Sequence, residues 1–239
     1  MFAMPSQTAA LPATSPRSSA GSSICRGLAR QAASRIMAVS SLVKVAPGST
    51  LFAEGDDADG IYEVVSGMLR LYKLLPDGRR QITGFLGTGQ ILGLAPEGAH
   101  VYTAEAITEV TVCRYPRVGF DRLIDEVPGL ARRLLAVASH ELRAAQDQML
   151  LLGRKAAAEK VASFLLLMAE QQGSQVEVAV PMARSDIADY LGLTTETVSR
   201  TFTKLKNEGL IALPTPNHVE IRDRDALEDF AAGQAACDF

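Results

Sequence analysis

Glu196 and Arg200 stand one helical turn apart, and together they carry groups that can read a base pair. A guanidinium presents two parallel donors that match O6 and N7 of guanine, and a carboxylate can accept from the amino group of the paired cytosine. The pair can therefore address a single G·C in a major groove. Thr195 and Ser199 beside them are small, and the Ser199 hydroxyl can serve a neighbouring base. Thr194, Arg184 and Lys204 flank the set as candidates for contacts with the sugar-phosphate backbone. The competing reading is a solvated Glu–Arg pair on a helix surface, worth about 0.2–0.5 kcal/mol. What separates the two readings is the frame that holds these residues.

That frame is two short helices meeting at a tight turn. Residues 183–191 place Ile187, Ala188 and Leu191 at helical spacing, Gly192 follows, and Thr194 can cap a new helix with its hydroxyl. In the second helix Val198, Phe202 and Leu205 lie at i, i+4 and i+7 and must face a core. Thr195, Glu196, Ser199, Arg200 and Thr203 are left outside. The sequence 207–210 ends this helix, and 211–213 and 218–221, joined by 214–217, read as a β wing. Upstream, 156–171 is amphipathic, with Val161, Leu165 and Met168 on its apolar face and Gly173 at its end, and 176–181 is β-like.

A different period precedes this unit. Leu135, Ala138, Leu142, Ala145, Met149 and Leu152 follow at steps of three and four, which is a heptad seam. It can be a helix packed on its own domain or the interface of a dimer. Arg132, Arg133, Arg143 and Asp147 occupy the opposite side, no charge interrupts the seam, and Ala138 and Ala145 allow close approach of two backbones, so a dimer is expected. Pro128 suits the first position of this helix and Gly153 its end.

Between Lys44 and Pro116 short alternating runs are punctuated by turn signals, as in a small antiparallel barrel or sandwich. Runs 61–65 and 69–75 flank Ser66-Gly67, Pro76-Asp77-Gly78 closes a hairpin onto 81–86, and 101–107 and 110–114 supply the last strands. The first ~35 residues are rich in Ala, Ser, Pro and Thr and hold no acid until Glu54, which reads as a flexible tail and also matches the composition of an organelle transit peptide.

The chain of 239 residues is 47% hydrophobic and carries a formal net charge of -3, enough apolar content for one large or two modest domains. No apolar run reaches the roughly 18 residues a spanning helix needs, so no membrane partner is expected. From Arg154 onward nine Lys and Arg face thirteen Asp and Glu, which argues against binding nucleic acid by charge alone. Cys25, Cys113 and Cys237 share no metal-ligand spacing, so no metal and no disulfide framework is expected, and a cytoplasmic location fits. No P-loop, HExxH or GxSxG motif is present, which argues against an enzyme.

Three segments resemble the CRP/FNR superfamily of bacterial regulators, and more closely its FNR and FixK branch. GSTLFAEGDDADGIYEVVSG at 48–67 is similar to the opening of a cyclic-nucleotide-binding β-roll, and QDQMLLL at 146–152 to the end of a dimer helix. DIADYLGLTTETVSR at 186–200 is similar to the FNR-branch helix-turn-helix, in which the residues matching Glu196, Ser199 and Arg200 read TTGA-type half-sites. The resemblance implies a homodimer on a palindromic operator, RNA polymerase as protein partner, and control of microaerobic or anaerobic respiration and, in rhizobia, of nitrogen-fixation genes.

Departures from the family pattern bear on what switches the protein. Nucleotide-binding relatives hold the cyclic phosphate with an Arg followed by Ser or Thr, and the ribose with a Glu just after a Gly. Here Leu94 follows Gly93, and His100-Val101-Tyr102 stands where the Arg would be. No Lys or Arg lies between Arg80 and Arg114, while Glu97, Glu105 and Glu109 add negative charge, so no cyclic nucleotide is expected. Cys113 matches the last cysteine of the iron-sulfur relatives, but Cys25 stands alone, and two thiolates cannot hold a four-cysteine cluster. No cofactor is expected. The alternative is a ligand-gated regulator with haem, through His100, His140 or His218, or a small molecule in the β-roll.

The expected fold is α+β: a flexible tail at 1–35, an antiparallel β-roll at 36–127, a dimerisation helix at 128–153, and a winged helix-turn-helix at 154–239.

Overall fold

The computed structural model describes residues 22–94 and 98–233. A helix α1 (Arg30–Ala38) leads into eight strands: β1 (Ser41–Val45), β2 (Thr50–Phe52), β3 (Gly60–Ser66), β4 (Leu69–Leu74), β5 (Arg80–Leu86), β6 (Ile91–Leu92), β7 (Thr103–Ala106) and β8 (Val110–Pro116). They form two four-stranded antiparallel sheets, ordered β1-β8-β3-β6 and β2-β7-β4-β5. Helices α2 (Arg117–Glu126), α3 (Leu130–Arg154) and α4 (Ala157–Gln172) follow, then β9 (Glu177–Ala179), α5 (Arg184–Leu191), α6 (Thr195–Asn207), β10 (Ile211–Thr215), β11 (His218–Ile221) and α7 (Arg224–Ala231). The last three strands make a sheet ordered β10-β11-β9.

The period-2 alternation of the strands builds three cores at once. Tyr62, Val64, Leu69, Leu71, Val110 and Val112 point between the two sheets. Ile61, Cys113 and Tyr115 point outward from the first sheet and are covered by residues 22–39 and by α2 and α3. Met68, Ile82 and Phe85 point outward from the second sheet and join the core of the C-terminal unit, with Phe164, Tyr190 and Phe202. The turn between β3 and β4 needs Gly67: at φ +85° a side chain would be strained, and a Cβ would lie 2.2 Å from the Glu109 carbonyl oxygen.

The tail reading of 1–35 fails for its C-terminal part, whereas residues 1–21 lie outside the described residues. Ile24 and Ile36 are fully buried and Cys25 and Ala33 nearly so. Burying side chains such as Ile contributes about 1.5–3 kcal/mol each, which a composition rich in small and polar residues concealed. Strands β1, β2 and β6 and helix α7 also have no counterpart in the expected elements. Pro128 does not open the long helix: it sits in a turn, and Gly129 in the left-handed region precedes Leu130. Cys25 is buried in the same cluster as Cys113, and burial pushes its thiol pKa up. Cys237 and Glu97 lie outside the described residues.

Two apolar stripes run side by side along α3. Leu130, Leu134, Val137 and Leu151 pack within the chain, while Leu135, Ala138, Leu142, Ala145, Met149 and Leu152, one residue further round, are all exposed.

Candidate DNA interface

The two-helix unit forms for local reasons. The carbonyl of Ala183 accepts from Ile187 N at the start of α5, and Gly192, at φ +63°, ends it by adopting a conformation that suits glycine. The amide of Leu193 bonds back to the Ala188 carbonyl at 3.0 Å, which fixes the turn. Thr194 then caps α6: its Oγ1 accepts from Thr197 N at 3.2 Å. Val198, Phe202 and Leu205 are buried, and Thr201 joins them with its hydroxyl donated to the Thr197 carbonyl.

The opposite face of α6 carries Thr195, Glu196, Ser199, Arg200 and Thr203, all exposed. Ser199 and Thr203 donate their hydroxyls to carbonyls one turn back, at 2.9 and 3.1 Å. These bonds are exchanged by rotation about one side-chain torsion. Among the ion pairs of the described residues none joins Glu196 to Arg200. Both charges point into solvent.

The flanking candidates sit differently. Lys204 Nζ lies 3.7 Å from Glu208 and 5.4 Å from the centre of the Phe230 ring. Arg184 turns inward, its guanidinium 3.4 Å above the Phe202 ring, with Nη1 buried and unbonded, and burial pulls its pKa down. Thr194 is exposed but spends its oxygen on the cap.

Sequence reasoning missed what holds the unit in place. Lys160, nearly buried on α4, donates to the Leu191 carbonyl at 3.3 Å, and Gln148 on α3 donates to the Tyr190 carbonyl at 2.9 Å. Asp186 and Asp189 on α5 bond to Arg70 and Arg80 of the β-roll. Partners separated by more than a hundred positions leave no periodic trace. A polar residue at an inward helical position is the one local sign, and Asp186, one before Ile187, carries it.

In the β-roll, Glu105 turns out to be paired with Arg70 at 2.5 Å on the face towards α5, so its charge is compensated there rather than free to repel an anion. His100 is buried, stacked on Phe52 with ring centres 3.6 Å apart, and its Nε2 has no hydrogen bond.

Comparison with known proteins bears on both halves. The profile of the Crp-like helix-turn-helix domain matches residues 159–230, and that of the cyclic nucleotide-binding domain matches 42–127. The chain is 48% identical over 194 residues to the transcriptional activatory protein AadR of Rhodopseudomonas palustris, covering 80% of this chain and 81% of that one. It is 51% identical over 175 residues to the nitrogen fixation regulation protein FixK of Bradyrhizobium diazoefficiens, covering 72% and 74%. Among solved structures, FixK2 from Bradyrhizobium japonicum is similar with a TM-score of 0.77 at 39% identity, over 80% of this chain and 97% of that one.

Proposed function

The chain belongs to the CRP/FNR family and is a DNA-binding transcription regulator of the FixK/FNR type; from that premise we propose that it acts as a homodimeric activator on TTGA-N-TCAA-like inverted repeats. The observation that carries the reading is the exposed, unpaired Glu196 and Arg200 one turn apart on a helix whose other face is buried. Thr195 and Ser199 complete the base-reading face, with Thr194, Arg184 and Lys204 as backbone contacts. For Arg184 this requires the side chain to swing off Phe202.

A dimer through α3 follows from the exposed stripe, since six apolar or small residues in heptad register are otherwise left in water. The relatives named for transcriptional activation and for nitrogen fixation support an activator of nitrogen-fixation genes; control of microaerobic or anaerobic respiration, RNA polymerase as partner and a cytoplasmic location are carried by the family resemblance of the sequence. Among the described residues no helix is long and apolar enough to cross a membrane.

Binding without a cyclic nucleotide is supported by the roll itself. Leu94 follows Gly93, and His100-Val101-Tyr102 stands where the resemblance puts the phosphate-binding arginine. The test is a titration of the purified, ligand-free protein against a palindromic operator, with and without cyclic AMP. Tight, sequence-specific binding changed less than about twofold by cyclic AMP supports the reading; strong stimulation refutes its effector-independent part.

A second reading, a regulator gated by haem or a small molecule in the β-roll, is favoured by the buried, unbonded Nε2 of His100. A Soret band on adding haem, or a thermal shift in a ligand screen, decides for it.

A further inference from the structure

The junction between the β-roll and the DNA-binding unit buries a carboxylate between two arginines. Asp186, in the first turn of α5, has a side chain only 4% exposed; it accepts from Arg70 Nη1 at 2.8 Å and from Arg80 Nη2. Arg70 reaches on to Glu105 of β7, and Arg80 also grips Asp189 through Nε at 3.0 Å and Nη2 at 2.8 Å. Gln81 adds a bond of 2.6 Å to the Asp189 carbonyl. Both arginines come from the β4–β5 hairpin and both aspartates from α5.

Phe85 and Tyr190 meet across the same junction with ring centres 5.3 Å apart, but apolar contacts tolerate sliding and rotation. Forked, charge-assisted hydrogen bonds do not, because each donor must face its own acceptor. Removing charges from water largely offsets the attraction between them, so such a cluster contributes geometry more than stability. Helix α5 runs through Gly192 and Thr194 into α6 with no slack, so whatever fixes the rotation of α5 on the roll fixes α6 as well.

We infer that Arg70, Arg80, Asp186 and Asp189 form a positioning clamp that orients the recognition helix against the β-roll and thereby sets the half-site spacing the protein accepts. None of the four lies on α6, whose exposed face carries Glu196 and Arg200. The inference rests on the dimeric, base-reading function proposed above. Two recognition helices must enter successive major grooves, and one base pair more or less turns the second half-site by about a tenth of a turn. A rigid junction rejects that change, whereas a loose one follows it.

The experiment titrates the full-length protein and its Asp186→Asn, Arg80→Gln and Arg80→Lys variants against inverted repeats whose spacer changes in single base-pair steps. Wild type should prefer one spacing over its neighbours by about tenfold or more, in line with losses of 1–3 kcal/mol for a misplaced contact. Asp186→Asn and Arg80→Gln should reduce that preference at least about fivefold while changing the choice of base opposite Arg200 less than about twofold. Arg80→Lys, which keeps the charge but not the fork onto Asp186 and Asp189, should lose most of the spacing preference as Arg80→Gln does. If Asp186→Asn does not melt cooperatively, Arg80→Gln, at the more exposed partner, decides alone. An unchanged spacing profile in the charge-removing variants, or an equal loss on every DNA, overturns the clamp. Absence of specific binding by wild type overturns the proposed function instead.

Discussion

The carboxylate of Glu63, fully buried in the middle of β3, accepts the backbone amide of Ser23 at 2.6 Å, and so ties the N-terminal segment to the outer face of the first sheet. The same carboxylate accepts from the Ser22 hydroxyl at 2.7 Å and the Tyr115 hydroxyl at 3.0 Å. Arg133 of α3 donates to the Ser23 carbonyl at 2.9 Å from the other side. Glu63→Gln keeps the shape but removes the charge and one acceptor. It should lower unfolding stability by about 1–3 kcal/mol, the cost of leaving buried donors unmatched, as read by urea unfolding. It should also speed hydrogen exchange at the Ser23 amide. Stability and exchange like wild type would mean that the segment is held by apolar contacts alone.

This anchor marks the boundary of what was legible in the sequence. The helix-turn-helix could be read because everything that makes it is local: Gly192, the Thr194 cap, and Val198, Phe202 and Leu205 within one helix. The heptad stripe from Leu135 to Leu152 was visible for the same reason. Ser23 finds its partner forty positions away, and Asp186 finds Arg70 and Arg80 more than a hundred positions away. Neither bond leaves a periodic trace, and the small, acid-free N-terminal segment gave no sign that Ile24 and Ile36 would be buried. The inward turn of Arg184 depends on Phe202 being placed under it, which spacing alone does not reveal.

Leu142 lies in the exposed stripe of α3 and Leu134 in the stripe packed within the chain. Leu142→Glu and Ala145→Asp should therefore weaken self-association and DNA binding together, each by tenfold or more, since a charge enters an apolar seam at a cost of at least about 1.4 kcal/mol. Leu134→Ala should instead lower thermal stability and leave association of the folded protein nearly unchanged. Sedimentation of the three variants beside a melting curve makes the comparison. Dimers that persist in both charged variants would place the interface elsewhere.

His100 gives the fold a dependence on acid. Burial lowers its pKa below the ordinary histidine value, against the opposing pull of Asp59 and Asp56. Folding therefore favours the neutral ring. An unfolded histidine takes up a proton as the pH falls through about 6.5, so this group stabilises the fold above that pH. The contribution is lost as the pH drops from about 6.5 through the lower folded-state value. Urea unfolding at pH 7.5 and at pH 5.5, buffers flanking that value by about one unit, should show wild type losing more stability than His100→Gln. Equal losses in the two proteins would mean that His100 titrates normally in the fold.

Arg200 should contact the guanine of each TTGA-like half-site while Glu196 accepts from the paired cytosine. Both side chains are exposed and neither is drawn into an ion pair among those of the described residues, so binding breaks no existing bond to recruit them. Arg200→Ala should cost about 1–3 kcal/mol per half-site and relax the choice of base at that position. Lys204 should behave otherwise. It gives up a 3.7 Å contact with Glu208 to meet a phosphate, and its loss should weaken all sequences alike and reduce the salt slope by about one unit. The half-site centres should lie roughly 34 Å apart, so that both helices reach one face of the duplex. Wild type and the two variants are titrated against operators carrying each base in turn at the G·C position, over a range of salt. A uniform loss with Arg200→Ala, with the preference for G·C intact, would make Arg200 a backbone contact and move base reading to Glu196 and Ser199.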